Sequence, residues 1–237
     1  MLNEGEDSGC AFSVYHKGKQ ALSVWGGYTD PENTLPWQQD TLTCTFSACK
    51  PLTAVIILQL VEQGLLELNN PIANYWPAFA ANGKAQITTL QVLSHSCGLP
   101  AFKQAIADDD LYNWQAMVKH VEQMEPWWPA GTKQGYKPFT FGWILGELIR
   151  IITGKMPAQA IRDSICTPLD LDLHIGLSAQ DQKRCSSLQK LVTTPAKPKA
   201  GKNDNAKKAK PEIDENSLFF KAFNNPKSLT YGSNSSR

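Results

Sequence analysis

The stretch that most constrains the fold is TFSACKPLTAVIILQL, residues 45–60, in which a polar start leads into a long apolar run. Pro51 does not argue against a helix, because in the first helical turn proline removes only an N–H that has no intrahelical acceptor. The apolar side chains between Leu52 and Val61 fall on most faces of such a helix. The stretch therefore predicts a central, buried helix that ends at Gly64 and around which the other elements pack.

A β-hairpin is predicted ahead of this helix, and further helices are predicted behind it. The β-rich runs CAFSVY (10–15) and QALSVW (20–25) flank HKGK, whose glycine suits a tight turn. Helix starts are marked by a capping box, acidic residues, an apolar run or a proline, and they lie at Thr88-x-x-Gln91, residues 108–110, residue 139 and Pro157. A hairpin followed by a run of helices indicates an α+β fold.

The composition of the chain changes at about residue 193. The segment TTPAKPKAGKNDNAKKAKPEIDEN has six lysines, three prolines and no aromatic residue, which is typical of a solvated linker. A nucleic-acid-binding tail is the weaker alternative, because no stacking residues are interleaved with the lysines. The predicted division is a folded region over residues 1–192 and a Lys/Pro-rich linker or loop over residues 193–237.

Composition and charge exclude several classes of partner. The net charge of +1 gives no electrostatic reason to bind nucleic acid or an anionic membrane, and no apolar run is long enough to cross a bilayer. The first residues, MLNEGEDSG, are too acidic and polar for a secretory signal, so we expect a cytoplasmic protein. The six cysteines occur singly, without a C-x-x-C pair. They are therefore predicted to be small buried residues rather than disulfides, zinc ligands or a redox motif.

Ser47 and Lys50 form a Ser-x-x-Lys pair at the start of the predicted helix. Residues three apart lie on one side of a helix, so the amine can reach the hydroxyl. A neutral amine can take the proton that keeps a serine hydroxyl a weak nucleophile. The alternative is that Ser47 is only an N-cap. Spacing alone does not decide between them, because Ser187-x-x-Lys190 repeats the pattern at the edge of the linker, where we interpret it as chance.

The context of the first pair resembles the serine β-lactamase superfamily, which includes class C β-lactamases, penicillin-binding proteins and related carboxylesterases. FSACKPLTA is similar to the nucleophile motif, and ITTLQVLSHSCGLP to the helix and loop that end in His-x-x-Gly-Leu-Pro. PAGTKQGYKPFTFGWILGELIRIITGK resembles the segment that carries the second active-site motif. The resemblance runs in order from about residue 8 to residue 190 and is nearest to the esterase-like branch. It implies a β-lactamase-like α+β fold, in which the hairpin belongs to an antiparallel sheet beside a helical region.

The resemblance also implies three catalytic residues. Ser47 matches the nucleophile, Lys50 its proton acceptor, and Tyr136 the tyrosine of the second motif, which shares the acid–base work. The alternative for Tyr136 is a hydrogen-bonded core tyrosine. His95 is a candidate for a triad histidine, but in this resemblance it matches a residue that structures a loop.

The sequence departs from the family pattern in two places. β-Lactamases and peptidases usually carry Tyr-x-Asn, whereas this chain has Pro138 in the asparagine position, and Lys137 before it is expected to be exposed. The third motif should follow the helical region. His16 and Gly18 match its His-x-Gly pattern, but they lie in the first hairpin turn, before Ser47 in the chain. Residues 191–237 hold no candidate for the third motif. The C-terminal strands of the family are therefore expected to be missing, as in a truncated copy.

The implied reaction is carboxylesterase-type hydrolysis of small esters through an acyl-enzyme. The expected partner is a small-molecule ester or amide, with no metal or organic cofactor, no nucleic acid and no membrane. Two alternatives stay open: amide hydrolysis of the β-lactamase or peptidase type, and an inactive truncated remnant. The sequence does not indicate the oligomeric state.

Overall fold

The computed structural model describes residues 7–188 and 214–226, which fall into two compact units. The hairpin unit contains residues 7–44 and 177–188, and the helical unit contains residues 45–176 and 214–226. The predicted boundary between residues 192 and 193 lies outside the described residues and stays a prediction.

The hairpin unit is built on two antiparallel strands, β1 (Gly9–His16) and β2 (Lys19–Gly27). Lys17 and Gly18 connect them with φ angles of +48° and +75°, the two-residue turn whose twist matches that of the flanking strands. The predicted hairpin is thus confirmed. Its apolar side chains are open to solvent, with Phe12 60% and Tyr15 66% exposed. A two-stranded sheet of this kind is marginally stable by itself.

A short parallel pairing joins the two chain segments of the hairpin unit. The Leu42 N–H donates to the Arg184 carbonyl at 2.9 Å, and the Ser186 N–H donates to the Leu42 carbonyl at 2.8 Å. The Arg184 guanidinium also donates to the Asp40 carbonyl at 2.9 Å. The segment before the Ser-x-x-Lys pair is therefore tied to residues 184–186.

The helical unit consists of short helices and 3₁₀ turns. The helices are α1 (Lys50–Glu62), α2 (Thr89–Leu93), α3 (Trp114–Gln123), α4 (Thr140–Thr153), α5 (Pro157–Ile161) and α6 (Leu218–Phe223). The 3₁₀ turns span Phe46–Cys49, Ile72–Asn74, Pro77–Ala80 and Asp108–Tyr112, and a π-helical turn, Arg162–Cys166, continues α5. Together with the hairpin they confirm the predicted α+β class.

Helix α1 packs against α4 and α5, and the centre of the core lies between α1 and α4. Ile57 of α1 and Leu148 of α4 are completely buried. The prediction that α1 is buried on most faces is wrong. Val55 is 41% and Leu58 51% exposed, because the helical unit covers only the side of α1 that faces its other helices.

Capping residues explain where two of the helices begin. The predicted capping box at α2 is confirmed: the Gln91 N–H donates to Thr88 Oγ1, and the Thr88 N–H donates to Gln91 Oε1. The helix predicted to start at Asp108 instead begins later. Residues 108–110 lie in a 3₁₀ turn, and α3 starts at Trp114 because Asn113 Oδ1 accepts the Ala116 N–H as its N-cap.

Helix α6 lies within the predicted linker. Ser217 caps it by accepting the Phe220 N–H, and Lys221 Nζ donates to the Lys103 carbonyl at 3.0 Å. The Asn225 side chain donates to the Gln104 carbonyl and accepts the Ile106 N–H. Residues 214–226 are therefore folded onto the helical unit, whereas the rest of the linker lies outside the described residues.

All six cysteines are free thiols, but the prediction that they are buried holds for only two of them. Cys97 and Cys166 are buried in the helical unit, whereas Cys10 and Cys44 are exposed. Cys49 and Cys185 are intermediate. None of the helices within residues 7–188 and 214–226 is long and apolar enough to cross a bilayer.

Lys84 is a completely buried lysine that ties three chain segments together. Its Nζ donates to the carbonyls of Ala81 at 2.7 Å and Glu122 at 2.8 Å, and also to that of Met124. Burial lowers the pKa of Lys84 to about 8, while Glu122 and Glu125 oppose the shift. At pH 7 the amine therefore keeps the three protons that it donates.

Replacing Lys84 by methionine is expected to lower the free energy of unfolding by about 3 kcal/mol or more, since each buried acceptor left unpaired costs about 1–3 kcal/mol. The measurement is urea unfolding of both proteins at pH 7. Lys119→Met is the matched control, because Lys119 is exposed on α3. Equal midpoints for the Lys84 and Lys119 variants would contradict the structural role.

Candidate active site

Ser47 lies in the 3₁₀ turn Phe46–Cys49, which runs directly into α1 at Lys50. Phe46 has a φ of +46°, a left-handed conformation that costs energy for any residue except glycine. The Cys49 thiol donates to the Phe46 carbonyl at 2.9 Å, inside the same turn. The strained backbone therefore lies directly before Ser47, whose side chain is exposed.

Lys50 holds its amine against Ser47. Its Nζ donates to Ser47 Oγ at 3.0 Å and to the Pro138 carbonyl at 3.0 Å. The amine also lies 5.2 Å from the centroid of the Tyr136 ring and 5.9 Å from that of Phe141. The predicted one-turn contact between Ser47 and Lys50 is thus present, and a carbonyl from a distant segment completes it.

Tyr136 reaches the same hydroxyl from 89 residues further along the chain. Its Oη donates to Ser47 Oγ at 2.6 Å. The structure therefore brings together the three residues that the sequence singled out, and the Ser47 oxygen accepts two hydrogen bonds. Their catalytic roles remain a prediction that activity measurements must test.

The segment that carries Tyr136 is packed tightly against its neighbours. Gly135 lies so close to the Trp128 indole that a Cβ there would overlap the ring, 2.5 Å from its Cη2. The Gly135 N–H donates to the His95 carbonyl at 2.9 Å. Gly98 of the His-x-x-Gly-Leu-Pro loop has a φ of +77°, and a Cβ on it would collide with the Trp128 carbonyl. Both glycines therefore allow the loop of residues 95–98 and the segment of residues 128–135 to approach each other.

His95 lies beneath Tyr136 and does not hydrogen-bond to Ser47 in the described part of the chain. Its Nδ1 accepts the Lys137 N–H at 3.2 Å, and its ring centroid is 5.0 Å from that of Tyr136. Burial lowers the pKa of His95 to about 4, and the Lys137 and Lys50 amines add to the shift. These contacts fit the predicted loop-structuring residue and not a proton acceptor for the serine.

The expectation that Lys137 is exposed is wrong. The side chain is completely buried, because the backbone turns it inward between Tyr136 and Pro138. Within the described residues its Nζ has no well-aligned hydrogen-bond acceptor, although the Cys97 thiol lies beside it. Burial lowers the pKa of Lys137, and Cys97 opposes the shift.

Pro138 takes part in the site through its backbone. Its carbonyl accepts a hydrogen bond from Lys50, and it has no side-chain amide to offer a substrate. Sequence reasoning missed this carbonyl because a backbone acceptor leaves no trace in residue identity. His16 and Gly18, which imitate the third motif, belong to the end of β1 and the hairpin turn.

Comparison with known proteins finds relatives that carry beta-lactamase or esterase descriptions. The family model described as Beta-lactamase matches residues 2–218. Esterase/beta-lactamase LipL of Mycobacterium tuberculosis is 37% identical over 174 residues, which is 73% of this chain and 40% of that protein.

Two solved structures superpose on this chain with a TM-score of 0.76. A penicillin-binding protein homolog from Caulobacter crescentus is 35% identical and is matched over 79% of this chain and 50% of its own. A family VIII carboxylesterase is 32% identical, with 79% of this chain and 52% of its own matched. The chain therefore spans about half the length of these relatives or less.

Proposed function

Since the chain belongs to the beta-lactamase family, whose fold and hydrolase character it shares, we propose that it hydrolyses small carboxylic esters through an acyl-enzyme on Ser47. The observation that carries the proposal is the convergence on one oxygen: Lys50 Nζ at 3.0 Å and Tyr136 Oη at 2.6 Å from Ser47 Oγ. A serine with two proton-transfer groups within hydrogen-bond distance has the arrangement that nucleophilic catalysis requires.

Lys50 takes the serine proton in the proposed acylation step. In this step the amine is neutral: it keeps its hydrogen bond to the Pro138 carbonyl and presents its lone pair, instead of an N–H, to Ser47 Oγ. The Oγ–H proton moves to this lone pair as the oxygen bonds to the ester carbonyl carbon. The ester C–O bond then breaks, and the leaving alkoxide takes a proton from the Tyr136 hydroxyl.

Deacylation reverses these roles. Water attacks the acyl carbon, and its proton goes to the Tyr136 phenolate. The Lys50 ammonium returns a proton to Ser47 Oγ as the acid leaves. The backbone N–H of Ser47, in the turn that leads into α1, is the proposed donor to the developing oxyanion. The net reaction is ester plus water to acid plus alcohol.

Two observations support esters as the substrate class. Pro138 has no side-chain amide for a β-lactam substituent, and its carbonyl is already used by Lys50. LipL carries the description esterase/beta-lactamase, and a family VIII carboxylesterase shares the fold at 32% identity. The LipL description also names beta-lactamase, so Pro138 is the observation that favours esters over β-lactams.

The test compares kcat/KM for p-nitrophenyl butyrate with that for a chromogenic cephalosporin. We expect the ester to be the better substrate. Pro138→Asn restores a side-chain amide while keeping the backbone carbonyl, so it should raise relative cephalosporin turnover by about tenfold, the value of one ordinary hydrogen bond. A wild-type preference for the cephalosporin would overturn the ester proposal, and the absence of turnover on both substrates would favour the inactive remnant.

A further inference from the structure

His95 holds the Tyr136 segment on both sides. Its carbonyl accepts the N–H of Gly135, the residue before Tyr136, at 2.9 Å. Its Nδ1 accepts the N–H of Lys137, the residue after Tyr136, at 3.2 Å. One residue thus fixes the peptides on either side of the tyrosine.

The imidazole ring also supports the phenol ring directly. The ring centroids of His95 and Tyr136 are 5.0 Å apart, and the imidazole also stacks on Phe141 at 5.4 Å. His95 itself has a φ of +60°, a conformation that persists only where the surroundings impose it. The imidazole ring therefore contacts two aromatic side chains, one of them the catalytic candidate Tyr136.

We propose that His95 is the positioning residue for Tyr136, acting through its carbonyl, its Nδ1 and the contact of its ring with the phenol. The proposal rests on the proposed function, because Tyr136 matters through its contact with Ser47. It assigns His95 a role in placing the tyrosine hydroxyl that goes beyond shaping its own loop.

The uncharged form is needed because of the hydrogen bond at Nδ1. A protonated imidazole has two N–H donors and no acceptor, so it cannot accept the Lys137 N–H. The neutral ring must carry its proton on Nε2. Protonation at Nδ1 would break this hydrogen bond and release one of the two peptides that hold Tyr136.

The surroundings of the ring favour this form. The titratable groups near it are the Lys137 and Lys50 amines and the Tyr136 hydroxyl, and no carboxylate acts on it among the described residues. Burial is the main cause that lowers the pKa of His95 to about 4, and the two amines add to the shift, so the ring is neutral at pH 7.

Two substitutions of His95 separate the contribution of its aromatic ring from that of its hydrogen-bond acceptor. His95→Phe keeps an aromatic ring but loses the acceptor, whereas His95→Asn keeps an acceptor and tolerates a positive φ. We expect His95→Phe to lower kcat for p-nitrophenyl butyrate by about tenfold with little change in KM, below the ~10²-fold that a full ångström of misplacement costs. His95→Asn should recover part of this loss. His174→Asn, on an exposed segment, is the matched control.

The pH dependence tests whether the neutral ring is needed. The pKa of His95, followed by NMR of the full chain, should be about 4 in the wild type. The acid limb of the kcat/KM profile should follow this titration, because protonation at Nδ1 breaks the hydrogen bond from the Lys137 N–H. Lys119→Met removes an exposed charge and should leave both unchanged.

The NMR measurement separates failure of this inference from failure of the proposed function. Wild-type protein without Ser47-dependent turnover would defeat the proposed function, while a His95 signal that titrates near 4 and contacts the Tyr136 ring would still support the positioning role. A wild-type signal that titrates near 6.5 would overturn the inference. So would Tyr136 ring signals that His95→Asn and His95→Phe both leave unchanged.

Discussion

Replacing Ser47 by alanine is expected to lower kcat for p-nitrophenyl butyrate by about 10⁴-fold or more, because loss of a serine nucleophile costs up to about 10⁶ in related chemistry. The variant keeps the turn Phe46–Cys49 and leaves Lys50 with its second acceptor, the Pro138 carbonyl. Ser47 is exposed, so its removal opens no cavity. The measurement is steady-state turnover together with thermal melts of both proteins, which should coincide.

The chain offers its own matched control for this experiment. Ser187 begins the second Ser-x-x-Lys pattern, and its N–H donates to the Thr29 carbonyl within the hairpin unit. Ser187→Ala should therefore retain wild-type turnover. A fluorophosphonate probe should label the wild type and the Ser187 variant but not the Ser47 variant. Undiminished turnover in Ser47→Ala would remove Ser47 from the mechanism altogether.

The features that the sequence predicted correctly are mostly local. A one-turn spacing places Lys50 beside Ser47, and a capping box starts a helix at Thr88, because both depend on residues a few positions apart. The turn at Lys17–Gly18 follows from the freedom of glycine at positive φ. Tyr136 lies 89 residues from Ser47, and only the resemblance to a known family linked the two.

The features that the sequence missed depend on the tertiary structure. Lysine is an exposed residue in most contexts, and nothing near Lys137 in the sequence indicates complete burial. The positive φ angles of Phe46 and His95 arise where the surrounding structure imposes them, because only glycine adopts that conformation without cost. Helix α1 was predicted from its composition to be buried on most faces, although burial depends on which elements pack around it.

Tyr136→Phe is expected to lower kcat by about 10²–10⁴-fold, the usual value of a positioned acid–base group. The substitution removes the 2.6 Å hydrogen bond to Ser47 Oγ but keeps the ring that packs on His95 and faces the Lys50 amine. Tyr112→Phe is the matched control, because Tyr112 is 81% exposed. It should leave kcat unchanged.

The choice of leaving group shows whether Tyr136 acts as an acid or only as a support. p-Nitrophenolate leaves as a stable anion and needs little protonation, whereas the alkoxide of an ethyl ester must gain a proton as the C–O bond breaks. Tyr136→Phe should therefore impair hydrolysis of ethyl butyrate more than that of p-nitrophenyl butyrate. Equal losses on both esters would assign the Tyr136 hydroxyl to holding Ser47 in place and would leave the leaving group to be protonated by Lys50, whose amine lies 3.0 Å from the same oxygen.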